Sequence, residues 1–327
     1  MIVRMRLAIP SALKICAALL ALAALTGPLY ARDRSEVPRG TGTFARNFGA
    51  ISGRDRVFTV YAPNNLKPGA PLVLVFHGGG GDGPMVRLGT GGEFDLLADR
   101  DGFVVAYPDG IAKAWNACSK GQNNAARRWD VDDVGFAEAI VESVAAKYAI
   151  DRARVFATGH SNGGQFSYRL ALERPRLIAG IAAISSNLPA EDNMVCVPQN
   201  LPVPVMIING TADPVSYYDG GRRPGSPFGR FRSTQATVEY FAQVNGLAGA
   251  PEITRLPHLK DSDQTSVERL AWTAPGRPPV ILYKVNGGGH VVPQLYYRYP
   301  SEVGRMTGDL DAPAVIWDFF SKLPPRQ

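Results

Sequence analysis

The sequence has few residues of the kinds that bind metals or redox cofactors. Its 327 residues include three cysteines and four histidines. They form neither a Cys-x-x-Cys nor a His-Glu-x-x-His pattern, which are spacings typical of zinc sites. The chain also contains no Gly-x-x-x-x-Gly-Lys-Ser/Thr segment, so the common phosphate-binding loop is excluded. We therefore expect chemistry that uses no metal and no cofactor.

The N-terminus has the pattern of an export signal. An apolar run at residues 15–25 is preceded by three basic residues, Arg4, Arg6 and Lys14. That run is too short to cross a bilayer but has the length of the apolar part of a signal peptide. We predict a signal peptide at residues 1–31 and a catalytic domain at residues 32–327. The mature protein would be secreted or periplasmic, with no stable membrane insertion.

The charge of the mature chain is small. Residues 1–31 contain three basic residues and no acidic ones, so cleavage lowers the formal net charge from +6 to +3. A charge of this size favours neither nucleic acid nor an anionic membrane as a partner. The oligomeric state cannot be inferred from these residues.

Strands and helices alternate along the chain. Predicted strands cover residues 57–62, 72–76, 103–107, 155–158, 180–185, 205–209 and 280–285, and predicted helices cover residues 93–100, 134–148, 164–173, 234–244 and 312–323. This order predicts an α/β fold in one domain, with a mostly parallel central sheet and helices on both faces. In such folds the functional site lies at the carboxyl ends of the strands.

Two cysteines remain after the predicted cleavage, Cys118 and Cys196. Both lie in predicted loops after strands, at the edge of the sheet where the site is expected. Because an even number of cysteines in an oxidising compartment favours pairing, we predict a disulfide between them. Two buried free thiols are the alternative.

One serine has the setting of a nucleophile. Gly159-His160-Ser161-Asn162-Gly163 lies between a predicted strand and a predicted helix. Such a sharp turn strains the backbone of the serine and requires small residues two positions away on each side. This is the nucleophile elbow of the α/β-hydrolases. An ordinary glycine-rich turn is the alternative.

A serine hydroxyl needs a base, and the base needs an orienting acid; in this fold the chain order is serine, acid, histidine. His290 follows a predicted strand on a glycine turn that we expect to be flexible, and it is the predicted base. Asp213 directly follows another predicted strand and precedes a proline, and it is the predicted acid. His258 precedes the last predicted strand and is the weaker candidate. His160 is expected to point away from the serine and to serve packing.

The predicted oxyanion hole comes from a glycine-rich loop. Residues 72–76 end in His77 and four glycines, so the amide of Gly78 or Gly79 can turn toward a developing oxyanion, with the amide of Asn162 as the second donor. The same loop matches Gly-x-Gly-x-x-Gly, the dinucleotide-binding pattern. Pro84 follows at once and helical periodicity is expected only from about residue 93, which argues against that alternative.

Two tryptophans, Trp115 and Trp129, flank the loop after the predicted strand at residues 103–107. Tryptophan in such a loop usually serves packing. The more specific alternative is that one of these tryptophan rings forms a surface on which a substrate ring stacks.

With these residues identified, the chain resembles the secreted polyhydroxybutyrate-depolymerase-type and feruloyl-esterase-type α/β-hydrolases. The resemblance covers about residues 50–322 and is carried by seven segments, at residues 76–79, 107–110, 130–136, 159–164, 209–214, 288–290 and 315–320. It implies Ser161 as nucleophile, Asp213 as acid and His290 as base. Asp132 and Asp133, within the most group-specific segment, are expected to cap the following helix.

The expected function is that of an exported serine esterase that forms an acyl-enzyme. The expected substrates are feruloyl or acetyl esters of plant polysaccharide, or short polyhydroxyalkanoate esters. Since we expect no additional polymer-gripping domain, soluble esters are favoured over solid polymer. A polyhydroxybutyrate depolymerase proper, a peptidase and a catalytically silent binding protein on the same fold are the alternatives.

Overall fold

A computed structural model describes residues 37–225 and 228–326 of the chain. The predicted signal peptide lies outside these residues. Within them, no helix has both the length and the apolar character needed to cross a membrane, and His, Cys, Asp and Glu side chains form no cluster of three that could hold a metal ion.

The described residues form one ten-stranded sheet in the order β1-β2-β4-β3-β5-β6-β7-β10-β9-β8. Strands β3, β4, β5, β6, β7 and β10 run parallel, whereas β1, β2, β8 and β9 join the two edges through antiparallel pairs. The strands are β1 Thr43–Ile51, β2 Arg54–Ala62, β3 Leu72–Phe76, β4 Val104–Pro108, β5 Val155–His160, β6 Gly180–Ile184, β7 Val205–Gly210, β8 Glu252–Arg255, β9 Ser266–Trp272 and β10 Val280–Asn286.

Helices cover both faces of the sheet. They are α1 Gly83–Gly89, α2 Glu93–Asp101, α3 Ala125–Arg128, α4 Asp133–Tyr148, α5 Asn162–Glu173, α6 Thr234–Val244 and α7 Ala312–Lys322. All five residues of β3 are buried. Leu72, Leu74 and Phe76 contact one core, whereas Val73 and Val75 contact the other. A strand buried on both faces is apolar throughout, which is why such strands could be read from the sequence.

The predicted α/β architecture is confirmed, but five of the elements were not predicted. Strands β1 and β8 are largely exposed, so they lack the apolar alternation that marks a half-buried strand. The argument that Pro84 delays the next helix was wrong. Pro84 lies in the first turn of α1, where proline is tolerated, and the Asp82 side chain caps that helix by accepting from the Met85 amide.

Only one of the two adjacent aspartates caps α4. Asp132 is the N-cap and accepts a hydrogen bond from the Gly135 amide. Asp133 instead forms a buried ion pair with Arg56, at 2.6 Å, and also accepts from the Asn116 amide. Burial raises the pKa of Asp133 and lowers that of Arg56, and their mutual attraction opposes both shifts.

The predicted disulfide is confirmed. Cys118 and Cys196 are bonded across 78 residues of sequence. The neighbouring residues Ser119 and Met194 form a β-bridge, so the bond joins two loops that already run side by side.

Candidate active site

Ser161 lies in a strained turn between β5 and α5. Its backbone has φ 55° and ψ −117°, an unfavourable conformation for a residue with a side chain. A Cβ atom on Gly159 would lie 2.5 Å from the Gly163 carbonyl carbon, and one on Gly163 would lie 2.2 Å from the Phe76 carbonyl oxygen. The two glycines therefore allow α5 to approach β5 and β3 closely enough to present the serine at the sheet edge.

Asp213 and His290 form a buried hydrogen-bonded pair beyond β7 and β10. The His290 Nδ1 atom lies 2.7 Å from Asp213 Oδ2, and both residues are less than a tenth exposed. The other carboxylate oxygen, Oδ1, accepts from the amides of Val215 and Ser216, each at 2.7 Å. Since these contacts fix the carboxylate and place the imidazole proton on Nδ1, the Nε2 lone pair of His290 is left available as a base.

Glycines hold the acid and base loops together. A Cβ on Gly210 would lie 2.2 Å from the Gly288 carbonyl oxygen, and one on Gly289 would lie 2.3 Å from the Val303 carbonyl oxygen. The His290 amide donates to that same Val303 carbonyl, and Ala212 donates to Gly288. These glycines serve close backbone contact, a role that the sequence analysis did not assign to them.

The two other candidate histidines have different surroundings. The His160 ring packs against the His290 ring, with centroids 4.7 Å apart, so its predicted packing role is directed at the candidate base. Burial lowers the pKa of His160 well below the usual 6.5, and the neighbouring His290 lowers it further. His258 instead bonds to Asp309 at 2.8 Å and, in the described structure, contacts neither Ser161 nor Asp213.

The glycine-rich loop after β3 faces the elbow. A Cβ on Gly78 would lie 3.5 Å from Ser161 Cβ, and one on Gly79 would lie 4.0 Å from Asn162 Cβ. Within residues 37–225 and 228–326, the amides of these two glycines and of Asn162 donate no hydrogen bond. These three amides are thus available as donors close to the serine, and the choice between Gly78 and Gly79 stays a prediction.

The two tryptophans are not equivalent. Trp115 has no exposed surface, so the prediction that it stacks on a substrate ring was wrong: its ring packs in the core against Phe166 and Phe76. Trp129 is half exposed and lies under the Arg54 guanidinium. In the described residues its contacts do not connect it with Ser161, Asp213 or His290.

A buried glutamate anchors the segment that follows His290. Glu93, at the start of α2, accepts from the Leu295 amide at 2.9 Å and shares a hydrogen bond with Asp311 at the start of α7. Burial is the main cause that raises the pKa of Glu93 to about 9, and its contact with Asp311 adds to the shift. The raised pKa favours the protonated form of Glu93 at neutral pH.

Comparison with known proteins identifies the family. The family model described as "Esterase PHB depolymerase" matches residues 57–223, which contain Ser161 and Asp213. The chain belongs to this family. As a member of the PHB-depolymerase esterase family, it is a carboxylic ester hydrolase of the serine-hydrolase type.

Relatives of this esterase occur in bacteria and fungi. NocK of Nocardia uniformis subsp. tsuyamanensis, whose name places it among esterases, is 32% identical over 83% of this chain and 80% of its own length. Feruloyl esterase B of Piromyces equi is 28% identical over 68% of this chain, but the match spans only 39% of that relative. The acetyl xylan esterase from Aspergillus awamori has the same α/β-hydrolase fold, with a TM-score of 0.60 and 18% identity over 86% of this chain and 99% of its own.

We predict that Gly210→Ala reduces esterase activity more than it reduces the amount of folded protein. The added methyl group would meet the Gly288 carbonyl at 2.2 Å, so the Asp213 and His290 loops must separate. We expect kcat to fall by at least about tenfold, together with about 1–3 kcal/mol of stability from overpacking. Gly49→Ala is the matched control, because no described atom lies within 4 Å of the position that its methyl group would take; equal activity of the two variants would contradict the prediction.

We predict that Glu93→Gln stabilises the protein increasingly as the pH rises from about 4.5 to about 9. Below 4.5 the glutamate is protonated in both states, whereas above it the unfolded chain loses the proton that the folded chain retains until about pH 9. The raised pKa therefore costs stability across this window, on the order of 1–4 kcal/mol at pH 8. Urea unfolding of both proteins at pH 4, 6 and 8 measures the difference. Glu239→Gln, at an exposed position, is the control. If the stability difference between Glu93→Gln and wild type does not depend on pH, the raised pKa of Glu93 is contradicted.

Proposed function

We propose that this chain is an exported serine esterase in which Ser161 is the nucleophile, His290 the base and Asp213 the orienting acid. The observation that carries the proposal is the buried His290–Asp213 pair at 2.7 Å. It lies beside an elbow serine with φ 55°. The His160 ring, one residue before Ser161, touches the His290 ring, which brings the base loop to the elbow.

The proposed reaction has two halves. Ser161 Oγ attacks the ester carbonyl carbon while His290 Nε2 takes its proton. The resulting oxyanion accepts hydrogen bonds from the amide of Asn162 and that of Gly78 or Gly79. When the tetrahedral intermediate collapses, the C–O bond to the alcohol breaks and His290 returns the proton to the departing oxygen. Water then attacks the acyl carbon while His290 takes its proton. When this second intermediate collapses, the bond from the acyl carbon to Ser161 Oγ breaks, His290 returns the proton to Oγ and the acid is released.

Asp213 is proposed to stabilise the imidazolium that forms in each half. Its carboxylate accepts from His290 and from two backbone amides, so it is held in one orientation without taking the proton itself. A buried carboxylate with three donors is electrostatically compensated. The arrangement therefore supports repeated charging of His290 without rearrangement of the acid loop.

The proposed substrates are feruloyl or acetyl esters of plant polysaccharide, or short polyhydroxyalkanoate esters. The relatives named as feruloyl and acetyl xylan esterases support the first group, and the family name supports the second. Val215, Tyr217 and Leu295, which follow Asp213 or His290 by two to five residues in the sequence, expose apolar surface. Apolar surface of this kind suits the apolar part of an acyl group.

We predict that Ser161→Ala and His290→Ala each lower kcat for a short p-nitrophenyl ester by about 10⁴–10⁶, because triad members act as a unit. A fluorophosphonate should label wild-type protein on Ser161, as peptide mass spectrometry can test. His258→Ala is the matched control and should retain activity, since His258 bonds to Asp309. Wild-type rates in Ser161→Ala would disprove the mechanism.

We predict faster turnover of soluble aryl or acetyl esters than of polyhydroxybutyrate granules. A side-by-side panel of methyl ferulate, acetylated xylo-oligosaccharide, hydroxybutyrate trimer and granules measures kcat/KM for each substrate. The apolar side chains exposed close in sequence to Asp213 and His290 suit small acyl groups that enter from solution. Dominant granule clearance would instead identify a polyhydroxybutyrate depolymerase proper.

A further inference from the structure

We propose that Trp115 is a positioning residue that fixes the two sides of the oxyanion hole relative to each other. One side is the glycine loop after β3, and the other is Asn162 at the start of α5. The inference rests on the proposed function, because it takes the amides of Gly78 or Gly79 and of Asn162 as the oxyanion donors.

Trp115 is hydrogen-bonded to both sides. Its indole Nε1 donates to the His77 carbonyl at 2.9 Å, which belongs to the peptide whose amide is that of Gly78. Its backbone amide donates to Asn162 Oδ1 at 2.8 Å, and the Asn162 Nδ2 group donates back to the Trp115 carbonyl at 3.3 Å. A single residue therefore bonds the strand-end loop and the helix start that carry the donors.

The indole ring is wedged between the elements that deliver those donors. It stacks on Phe166 of α5, with centroids 5.3 Å apart, and meets Phe76 of β3 edge-on at 5.1 Å. Because the ring has no exposed surface, the indole N–H donates to the His77 carbonyl away from bulk water. Loss of a buried hydrogen bond of this kind leaves the acceptor unsatisfied.

The residues that precede Trp115 also form hydrogen bonds with the glycine loop after β3. The His77 Nε2 atom accepts from the Gly110 amide, so Nδ1 carries the proton and donates to the Gly78 carbonyl. Burial lowers the pKa of His77, which keeps this neutral form. The Gly80 amide donates to the Lys113 carbonyl. Residues 110–116 thus form a backing for the loop, and Trp115 extends it to Asn162.

An oxyanion hole depends on donors placed about 2.7–3.1 Å from the oxyanion, and loss of one donor costs about 10²–10³ in kcat. Loosening the brace should displace donors without removing them, so a smaller effect is expected. For Trp115→Phe, which keeps an aromatic ring but no N–H, we expect kcat to fall by about 10–100-fold while KM changes less than about threefold.

A transition-state analogue separates positioning from general destabilisation. A trifluoromethyl ketone forms a serine adduct that bears an oxyanion, so its inhibition constant should rise with the fall in kcat/KM. The pH dependence of kcat/KM should keep its midpoint, since His290 and Asp213 are untouched. Unchanged kcat and unchanged inhibitor affinity in Trp115→Phe would overturn the proposal.

Trp317→Phe is the matched control. Trp317 is also buried and stacked, on Phe103, and its indole N–H donates to Asp101 in the other layer. It should lose comparable thermal stability yet keep kcat and inhibitor affinity. If both variants lose kcat to the same extent, the effect is one of stability alone and the positioning role is wrong.

Asn162→Ala provides an independent test should Trp115→Phe fail to fold. It removes the side chain that bonds Trp115 but keeps the backbone amide that serves as donor. We expect a similar loss of kcat and of inhibitor affinity. The double variant Trp115→Phe/Asn162→Ala should be less impaired than the product of the two single effects. Wild-type kcat and inhibitor affinity in Asn162→Ala would contradict the positioning role. Ser161→Ala is measured in parallel, because its retained activity would refute the proposed function, whereas its inactivity beside an unimpaired Trp115→Phe would refute only the positioning role.

Discussion

The candidate site depends on backbone segments that approach more closely than side chains permit. At the elbow, Gly163 lies against the carbonyls at the end of β3, and at the other end of the site Gly210 lies against Gly288. The first contact sets the separation of the elbow from the loop after β3, and the second sets the separation of the loops that carry the candidate acid and base. Side-chain hydrogen bonds such as that between His290 and Asp213 form within a geometry that the backbone has already fixed. For this reason glycine is required at these positions for space rather than for mobility.

Two buried carboxyl groups near the site have opposite surroundings. Asp213 accepts three hydrogen bonds, two from amides and one from His290, and in the proposed mechanism His290 becomes positively charged. Glu93 faces another carboxyl group, and its pKa is raised to about 9. One carboxyl group is thus suited to orient a base, whereas the other, with its raised pKa, links the segment after His290 to the starts of two helices. Both carboxyl groups are buried, so burial alone does not distinguish their roles. The number and kind of hydrogen-bond donors around Asp213 and Glu93 do.

The sequence was informative where a function depends on neighbouring residues. The elbow around Ser161 requires glycines two positions away, so its pattern is local and could be recognised. Asp213 and His290 directly follow buried apolar strands, and chain order then assigned them. Trp115 was misread because its burial depends on Phe76 and Phe166 from distant parts of the chain. Exposed edge strands such as β8 are held by pairing with a neighbour and carry no apolar alternation, so periodicity could not find them.

The disulfide places one of the three candidate catalytic residues inside a covalently closed ring and the other two outside it. The bond between Cys118 and Cys196 closes a ring of main chain that contains Ser161, Asn162 and the whole of α5, whereas Asp213 and His290 lie outside it. After a single peptide-bond cut anywhere between residues 118 and 196, the disulfide would therefore still join the two pieces of the chain. Ser161 would stay covalently linked to the rest of the protein. The loop beside Trp115 is one attachment point of this ring. Such a nick thus leaves Ser161 covalently tethered to His290.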